Sequence, residues 1–389
     1  MRVSFYSNYM NHHQLPLSDA LYSVLGDEYT FVATTPVNPA RLALGYRDEN
    51  KSRPYILTTY DSIENQEKAL RLALESDVVI SGSAPEIYSR VRITHRKLLL
   101  RYSERLFKQE PSLKGFLGSF VYSHIENPPF SKTYLLCASA YTAPDYERLG
   151  LFRNRAFKWG YFPEFRPYDY PEALIRQKEP STLLWAGRFL DWKHPELAIE
   201  IADTLRNNGY HFKLNMIGTG EMETYLKNRT AEMGLDNCVH FLGSMPPEQV
   251  RQYMEESQIF LFTSDRNEGW GAVLNEAMNS ACAVVANQMI GSVPFLIRNG
   301  DNGLIYQDDD TTAFFDCVKR LMDHSEETMR LGSAAYHTVA DQWNAEIAAQ
   351  RLLTLSQDLL RGNTGRSLFS SGVCSPAILL SETSGESSK

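Results

Sequence analysis

Two carboxylates, Glu268 and Glu276, lie eight positions apart across a predicted strand-to-helix turn. Residues 260 to 286 read FLFTSDRNEGWGAVLNEAMNSACAVVA, an apolar run followed by a polar turn and a helical pattern that places Glu276 about two turns in. Gly269 and Gly271 let the backbone approach a ligand closely, and a helix start directs unpaired N–H groups at it. Such a corner suits a polyhydroxylated anion.

Two cations follow an earlier predicted strand. Arg188 comes directly after Gly187, and Lys193 lies five positions further on. A guanidinium fork and a compact ammonium this close in the chain would stabilise negative charge on a ligand. A third loop contains Gly218 and Gly220, where glycine serves either a ligand or the geometry of the turn alone.

The elements that must position these residues alternate regularly from about residue 181. Strands are predicted at 182–186, 212–217, 239–242, 259–263, 283–286 and 304–306, and helices near 194–208, 220–233, 246–257, 270–281 and 310–323. This alternation predicts a parallel, doubly wound sheet. Because ligands bind at the carboxyl ends of such strands, the three polar loops are expected at one edge.

The length of 389 residues exceeds the roughly 250–300 at which single cores stop growing, and therefore predicts two domains. Residues 1–165 repeat the alternation less regularly, with strands predicted at 2–7, 30–34, 55–58, 78–81, 97–102 and 134–138. Residues 166–345 form the second domain, and 346–362 a helix that crosses back to the first. Residues 363–389 contain eight serines and little apolar content, which predicts a disordered tail.

Composition excludes some function classes. The net charge of −8 and the pI near 5.7 argue against nucleic acid as a partner, because phosphate binding depends on lysine and arginine. Five scattered cysteines without a C-x2-C pair are typical of a reducing cytoplasm. We find neither a signal-peptide pattern nor an apolar run approaching the ~18 residues of a spanning helix, and expect a protein that is neither exported nor membrane-embedded.

The spacing of Glu268 and Glu276 resembles the E-x7-E motif of family 4 (group 1) glycosyltransferases, which are retaining enzymes. Further similar pieces follow in the family's order over residues 180–345: Gly187-Arg188 with Lys193, Ile217-Gly218-Thr219-Gly220, Phe241-Leu242-Gly243 and Glu276-Ala277-Met278. The resemblance implies an α/β protein of GT-B fold, with two Rossmann-like doubly wound domains facing each other across a cleft. The first would bind the acceptor and the second the nucleotide sugar.

The resemblance also implies an activity. The protein would be a metal-independent, retaining hexosyltransferase that moves a hexose from a nucleoside diphosphate sugar to a saccharide or lipid-linked acceptor, in surface polysaccharide biosynthesis. Arg188, Lys193 and Glu268 would be catalytic. The implied donor-binding residues are Gly187, Arg188, Lys193, Gly218, Gly220, Glu268, Gly269, Trp270, Gly271, Ala272, Val273 and Glu276. The donor is a substrate, and no cofactor is implied.

Candidate acceptor residues lie in the first half. Asn11 and His12 follow the first strand in a polar loop, where family members often carry a glycine pair. Glu104 stands near the place where relatives have a histidine, and either orients the acceptor or forms a surface ion pair with Arg105. The Gly291-Ser292-Val293-Pro294 segment also departs from the family pattern of paired glycines and a glutamate.

A local basic stretch bears on location. Seven cations precede a short apolar group: Arg90, Arg92, Arg96, Lys97, Arg101, Arg105 and Lys108, then Phe116, Leu117, Phe120 and Val121. The 90–122 region is either a peripheral docking face for an anionic membrane or a solvated helix face. We expect a cytoplasmic protein, with the inner face of the plasma membrane as a possible site of contact.

Alternative functions remain open at this stage. A sugar-nucleotide epimerase would have the same architecture but would turn over without an acceptor. A non-catalytic subunit of a transferase would have no need of Arg188, Lys193, Glu268 and Glu276 together. A dinucleotide-dependent oxidoreductase is disfavoured because no G-x-G-x-x-G follows the first strand.

Overall fold

The computed structural model describes residues 1–39, 42, 47–308 and 310–377. The chain separates into two compact units. The first combines Met1–Glu164 with Asn344–Lys389, and the second is Phe165–Trp343. Each unit is built on one parallel sheet, and each is described by itself below.

The first unit contains a seven-stranded parallel sheet. Its strands are β1 Val3–Ser7, β2 Tyr29–Ala33, β3 Ile56–Thr58, β4 Val78–Ser81, β5 Leu99–Ser103, β6 Thr133–Cys137 and β7 Ala156–Lys158, in the order β3-β2-β1-β4-β5-β6-β7. Its helices before residue 165 include α1 Leu15–Leu25, α2 Ile63–Glu75, α3 Glu86–Thr94, α4 Leu113–Glu126 and α5 Thr142–Arg148, with short 3-10 turns at Gly26–Glu28 and Glu49–Lys51. The strand order reverses between β1 and β4, as in a doubly wound sheet.

The second unit contains a six-stranded parallel sheet in the order β10-β9-β8-β11-β12-β13. The strands are β8 Glu179–Ala186, β9 Lys213–Ile217, β10 Val239–Gly243, β11 Ser257–Phe262, β12 Ala283–Asn287 and β13 Leu304–Tyr306. The helices are α6 Pro171–Gln177, α7 Pro195–Asn207, α8 Glu223–Glu232, α9 Pro247–Glu256, α10 Val273–Asn279, α11 Val293–Leu296, α12 Thr311–Asp323 and α13 Ser325–Gln342, with a 3-10 turn at Asp191–Lys193. Here the order reverses between β8 and β11.

The central strands of the second unit are covered on both faces, which explains why they read as apolar runs rather than as an alternation. Every residue of β12 is buried, and so are the last four of β11. Leu183, Leu214 and Ile259 of neighbouring strands join one core with Ala198 and Ile199 of α7. The loops at the strand ends therefore stand on a rigid base.

Helix α10 begins three residues later than the sequence predicted. It starts at Val273 rather than near residue 270, so Glu276 lies in its first turn and not about two turns in. Two features hold the preceding residues in a loop: Gly271 has a φ of 82°, and the Trp270 side chain packs beside Trp343 and Phe295. A helical backbone would break both arrangements.

The last helix, α14 Ala345–Leu360, packs against α1 and belongs to the first unit. The prediction of a disordered tail from residue 363 is wrong for residues 363–377, and residues 378–389 lie outside the described part of the chain. Cys374 is fully buried, and its N–H donates to Lys158 O of edge strand β7 at 2.8 Å. Pro376 forms an antiparallel bridge with Phe157. Strand-edge pairing, which serine content does not report, orders this segment.

A matched pair of glycine substitutions tests the packing of α13 against the β12 side of the sheet. A Cβ at Gly332 would lie 2.4 Å from Ala281 O, whereas a Cβ at Gly118 of α4 would meet nothing within 4 Å. We expect Gly332→Ala to lower the free energy of unfolding by about 1–3 kcal/mol because a backbone atom must move. Gly118→Ala should raise it by about 0.5–1 kcal/mol, since alanine favours a helix.

Thermal unfolding of the two variants beside the parent protein measures both changes. Equal midpoints for Gly332→Ala and Gly118→Ala would contradict the close approach of α13 to the loop before β12.

Candidate functional site

The loops that follow β8 and β9 are joined by backbone hydrogen bonds. The Gly187 N–H donates to Ile217 O at 3.0 Å, and the Phe189 N–H donates to Thr219 O at 2.9 Å. The Met222 N–H returns a bond to Phe189 O at 3.1 Å. The two loops therefore form one continuous edge at the carboxyl ends of the strands.

Glycine is required where these loops meet. A Cβ at Gly218 would lie 1.8 Å from Gly187 O, and the φ of Gly218 is 135°. A Cβ at Gly220 would lie 2.4 Å from Phe189 O. Packing alone thus explains both glycines, so of the two readings left open, the structure favours loop geometry; a ligand contact through their backbone stays a prediction.

The loop after β11 is tied to the loop after β8. The Asp265 N–H donates to Trp192 O at 3.0 Å, and the Thr263 hydroxyl donates to Lys193 O at 2.7 Å. The Trp185 indole N–H in turn donates to Thr263 Oγ1 at 2.8 Å. These bonds lie at the reversal of strand order between β8 and β11, the place where doubly wound sheets bind ligands.

Lys193 and Glu268 form an ion pair at this place. Lys193 Nζ lies 2.5 Å from Glu268 Oε2, and each side chain is only 14% exposed. The Ser264 hydroxyl donates to the same carboxylate oxygen at 3.2 Å, and the Lys193 ammonium lies 4.5 Å from the centre of the Trp192 ring. The structure therefore brings together one predicted cation and one predicted carboxylate.

Arg188 is exposed at the same edge. Among the residues that the structure describes, its side chain has no recorded hydrogen bond or ion pair. Gly187 before it lies against the Trp185 ring, where a Cβ would approach to 3.2 Å. The guanidinium is therefore available to an anion from solvent.

Glu276 lies on α10 and makes no recorded contact with Arg188, Lys193 or Glu268 within the described residues. Burial raises the pKa of its carboxyl group, and the positive charge of Arg251 partly opposes this rise. Arg251 also donates to Glu276 O at 3.0 Å and to Asn279 Oδ1 at 2.6 Å, which fixes α10 at both positions. Nothing in the sequence marked Arg251 for this role.

The backbone between Glu268 and α10 is shaped by close packing. A Cβ at Gly271 would lie 2.4 Å from the Phe262 ring. The N–H groups of Gly271, Ala272 and Val273 have no recorded acceptor in the part of the chain that the structure describes, as an anion or sugar site requires.

The side chain of Trp270 is buried. It is 1% exposed, and its indole N–H donates to Asn275 Oδ1 at 2.9 Å. The ring packs into the core, beside Trp343 and Phe295. The predicted contact of Trp270 with the donor therefore concerns its backbone N–H, and it stays a prediction.

His194 was missed by the sequence analysis. It has a left-handed φ of 48° before α7, and its Nδ1 lies 2.9 Å from Glu196 Oε1. Its Nε2 lies 3.6 Å from Asp265 Oδ2, so it links the loops after β8 and β11. The hydrogen bond to Glu196 raises the pKa of His194. The only sequence signal is its position beside Lys193.

The predicted acceptor residues lie in the first unit. Asn11 Oδ1 accepts the N–H groups of His13 and Gln14, both at 3.0 Å, and so caps the turn before α1. The ring of His12 lies 3.6 Å from that of His13. Asn11 thus has a structural role, and a contact of Asn11 or His12 with an acceptor stays a prediction.

Glu104 follows β5 and accepts a hydrogen bond from the Tyr161 hydroxyl. Lys108 Nζ lies 4.0 Å from Glu104 Oε2. Arg105, the alternative partner, is buried, lies 3.9 Å from Asp145 Oδ2 and stacks over the Tyr141 ring. The arrangement holds Glu104 in place, and its role toward an acceptor stays a prediction.

The basic stretch does not form a continuous basic surface, because three of its seven cations are buried. Contact of the 90–122 region with a membrane stays a prediction. Arg92 is fully buried and donates to backbone carbonyls, including Ser76 O at 2.6 Å. Arg101 forms two bonds to Glu86, at 2.9 and 2.8 Å. Arg105 is buried as well. These guanidiniums serve the interior, because buried carbonyls and carboxylates need donors.

The described residues contain no cluster of three or more histidine, cysteine, aspartate or glutamate side chains suited to a metal ion. Within the same residues, no helix combines the length and apolar character needed to cross a bilayer.

Comparison with known sequences identifies the second unit. Residues 169–338 match the family described as "Glycosyl transferases group 1". The chain is similar to the amylovoran biosynthesis glycosyltransferase of Erwinia amylovora, with 29% identity over 186 residues, 46% of each protein. It is also 29% identical, over 150 residues and 38% of each chain, to the N-acetyl-alpha-D-glucosaminyl L-malate synthase of Bacillus anthracis. The chain spans about half the length of the curated relatives that it matches.

Solved structures are similar over nearly the whole chain. The Anabaena protein HepE, solved in complex with UDP, aligns with a TM-score of 0.69 at 16% identity, covering 92% of this chain and 100% of that one. A sucrose-phosphate synthase from Thermosynechococcus elongatus aligns at 0.65 with 15% identity, covering 93% and 100%. The chain therefore has the GT-B fold of two Rossmann-like units, and its residues 169–338 belong to the group 1 glycosyltransferase family.

Proposed function

We propose that the protein is a retaining hexosyltransferase that takes a hexose from a nucleoside diphosphate sugar. The observation that carries this proposal is the ion pair of Lys193 and Glu268 at the reversal of strand order. Both residues lie within the segment that matches the group 1 family. The structure of HepE with UDP supports a nucleoside diphosphate as the ligand class.

We infer that the donor would separate this ion pair and become the new partner of both groups. The Lys193 ammonium is held by Glu268 in a largely buried place. A diphosphate would draw the ammonium toward itself, and Glu268 would then accept hydrogen bonds from sugar hydroxyls. Exposed Arg188 would add a guanidinium fork to the same diphosphate. Cations arranged in advance stabilise the charge of the leaving group without reorganisation in the transition state.

Glu276 and the loop before α10 would hold the rest of the donor. A carboxylate that accepts ribose hydroxyls is a recurrent device in nucleotide sites. The N–H groups of Gly271, Ala272 and Val273 would approach the sugar or a phosphate. In the proposed reaction the leaving phosphate takes the acceptor's proton on the same face of the sugar. The anomeric configuration is then kept without a covalent enzyme intermediate and without a metal.

The proposed acceptor is a saccharide or a lipid-linked saccharide, and the proposed setting is surface polysaccharide assembly at the cytoplasmic side of the membrane. The similarity to the amylovoran biosynthesis glycosyltransferase supports this setting. Acceptor recognition is proposed for the first unit, where Asn11, His12 and Glu104 follow strands β1 and β5.

The role of Lys193 is tested by removing its charge. We expect Lys193→Met to weaken binding of UDP by at least about tenfold, since one charge-assisted contact is worth roughly 1.5–3 kcal/mol. At a UDP concentration of about 100 times its Kd, the parent protein should gain about 2.7 kcal/mol of stability, which a thermal shift detects. Lys193→Met should lose most of this shift.

Lys213→Met is the matched control. Lys213 is the half-exposed first residue of β9, and its Nζ lies 3.1 Å from Oε2 of Glu179, the first residue of β8. It should keep the full thermal shift. A full shift in Lys193→Met, at every UDP concentration, would contradict the proposed diphosphate contact.

The reaction class is tested by transfer with mixed UDP-hexoses and a panel of saccharide and lipid-linked acceptors. We expect a glycoside with the anomeric configuration of the donor, read from the proton coupling of the product. Glu268→Gln should lower kcat by about 10²–10³, the cost of losing one aimed polar contact in comparable sites. Inverted product would refute retention, and turnover of UDP-hexose to its epimer without acceptor would refute transfer.

The raised pKa of Glu276 predicts a pH dependence of donor binding. Only the ionised carboxylate accepts from two ribose hydroxyls, so affinity is greatest above the pKa and falls as the pH is lowered through it. Because burial raises this pKa, the fall should begin at a higher pH than for an ordinary glutamate. Calorimetric titration with a nucleoside diphosphate sugar, whose phosphates stay ionised in this range, measures it.

Glu276→Gln should bind more weakly at neutral pH and show a flatter profile. Glu200→Gln, at an exposed position of α7, should keep the profile of the parent protein. A parent profile that is retained in Glu276→Gln would assign the titration to another group.

A further inference from the structure

Helix α4 exposes most of its apolar residues and buries two of its polar ones. Leu113, Leu117, Val121 and Ile125 are 78%, 55%, 57% and 65% exposed, and their spacing of four residues places them along one outward ridge. The inward side contains Ser123 and Glu126, which are both buried. An ordinary surface helix shows the opposite pattern.

The apolar surface extends beyond this ridge. Phe120 and Tyr122 of the same helix are exposed at its two sides, and Phe130 in the loop that follows is 70% exposed. By contrast, α2 of the same unit buries Ala69 and Ala73 and turns charged side chains outward. The exposed ridge therefore distinguishes α4 from α2.

The charged side chains around the ridge are either cations or carboxylates that pair with an arginine or a lysine. The one acidic residue of α4, Glu126, is buried and pairs with Arg90 at 2.6 Å. Lys114 is exposed on the helix itself, and Lys108 and Lys132 are exposed shortly before and after it. Glu110, near the helix start, pairs with Arg148 at 2.9 Å. The surface thus offers apolar side chains and exposed ammonium groups, of which Lys108 lies 4.0 Å from Glu104 Oε2, in a protein whose net charge is −8.

The size of the ridge argues against a stable protein interface. A helix of 14 residues is roughly 21 Å long and about 10 Å wide, so its outward face covers on the order of 200 Å². A standard protein interface buries about 800 Å² on each partner. An amphipathic helix that lies in the plane of a membrane needs only its apolar face and flanking cations.

We propose that the outward face of α4 docks on a bilayer that contains anionic lipid. Leu117, Val121 and Ile125 insert among the acyl chains at the boundary with the head groups. Lys108, Lys114 and Lys132 meet the head-group phosphates. The contact uses neither donor nor acceptor, so its failure and a failure of the proposed transfer reaction are distinguishable.

Co-sedimentation of the full chain with vesicles tests this surface. We expect binding to vesicles of phosphatidylcholine mixed with phosphatidylglycerol, and weaker binding to phosphatidylcholine alone. High salt should weaken the first and leave the second little changed, because only the cationic contribution is screened. Leu117→Gln/Val121→Gln should lower the partition coefficient at least tenfold.

The control is Ile63→Gln, at a side chain of α2 that is 75% exposed, and it should bind as the parent protein does. Because both α4 positions are exposed and glutamine favours helices, the double variant should keep the parent's unfolding midpoint. Should it fall, the single variant Ile125→Gln provides the same comparison.

Three results would overturn the proposal. The first is no binding of the parent protein at low salt, and the second is equal binding of the parent protein and the α4 variants. The third is a concentration-dependent dimer in sedimentation velocity that the double variant abolishes, since a second copy would then cover the ridge.

Discussion

Backbone contact between the loops that follow β8 and β9 determines where the polar groups of the candidate site can stand. A Cβ at Gly218 would lie 1.8 Å from Gly187 O, so the two loops are in backbone contact with no room for a side chain at this position. The hydrogen bond from Phe189 to Thr219 closes the same contact. Since this edge rests on a sheet that is buried on both faces, Arg188 projects from a loop whose backbone is held, although its side chain is exposed.

A second tie gives the site its electrostatic character. Thr263 and Asp265 hold the loop after β11 to the backbone of Trp192 and Lys193. That tie brings Lys193 against Glu268 in a largely buried place. A buried ion pair is weak evidence for stability, because desolvation opposes the Coulombic attraction. Its more direct consequence is for position: in the proposed function, an entering anion would meet an ammonium that is already held in place and largely removed from water.

Much of the architecture could be predicted from the sequence, because periodicity reports which side chains face the core. The strands and the two-domain organisation follow from apolar runs that alternate with helical patterns. The predictions were wrong where the backbone conformation depends on contacts that the local sequence pattern does not show. The start of α10 at Val273 depends on the φ of Gly271 and on the place of Trp270 in the core. The order of residues 363–377 depends on pairing with the edge strand β7, which composition does not encode.

The residue types at the strand ends and the order of the motifs can be read from the amino-acid sequence, since these are properties of the chain's local pattern. The sequence also placed Glu268, Lys193 and Arg188 on loops that share one edge, because parallel strands end on the same side. Which of these groups are exposed depends on how the chain packs in three dimensions. The Arg92 guanidinium is buried and donates to backbone carbonyls, whereas Leu113 and Leu117 of α4 are exposed. Burial and pairing depend on neighbours distant in the chain, and a linear pattern of charges and apolar residues does not specify them.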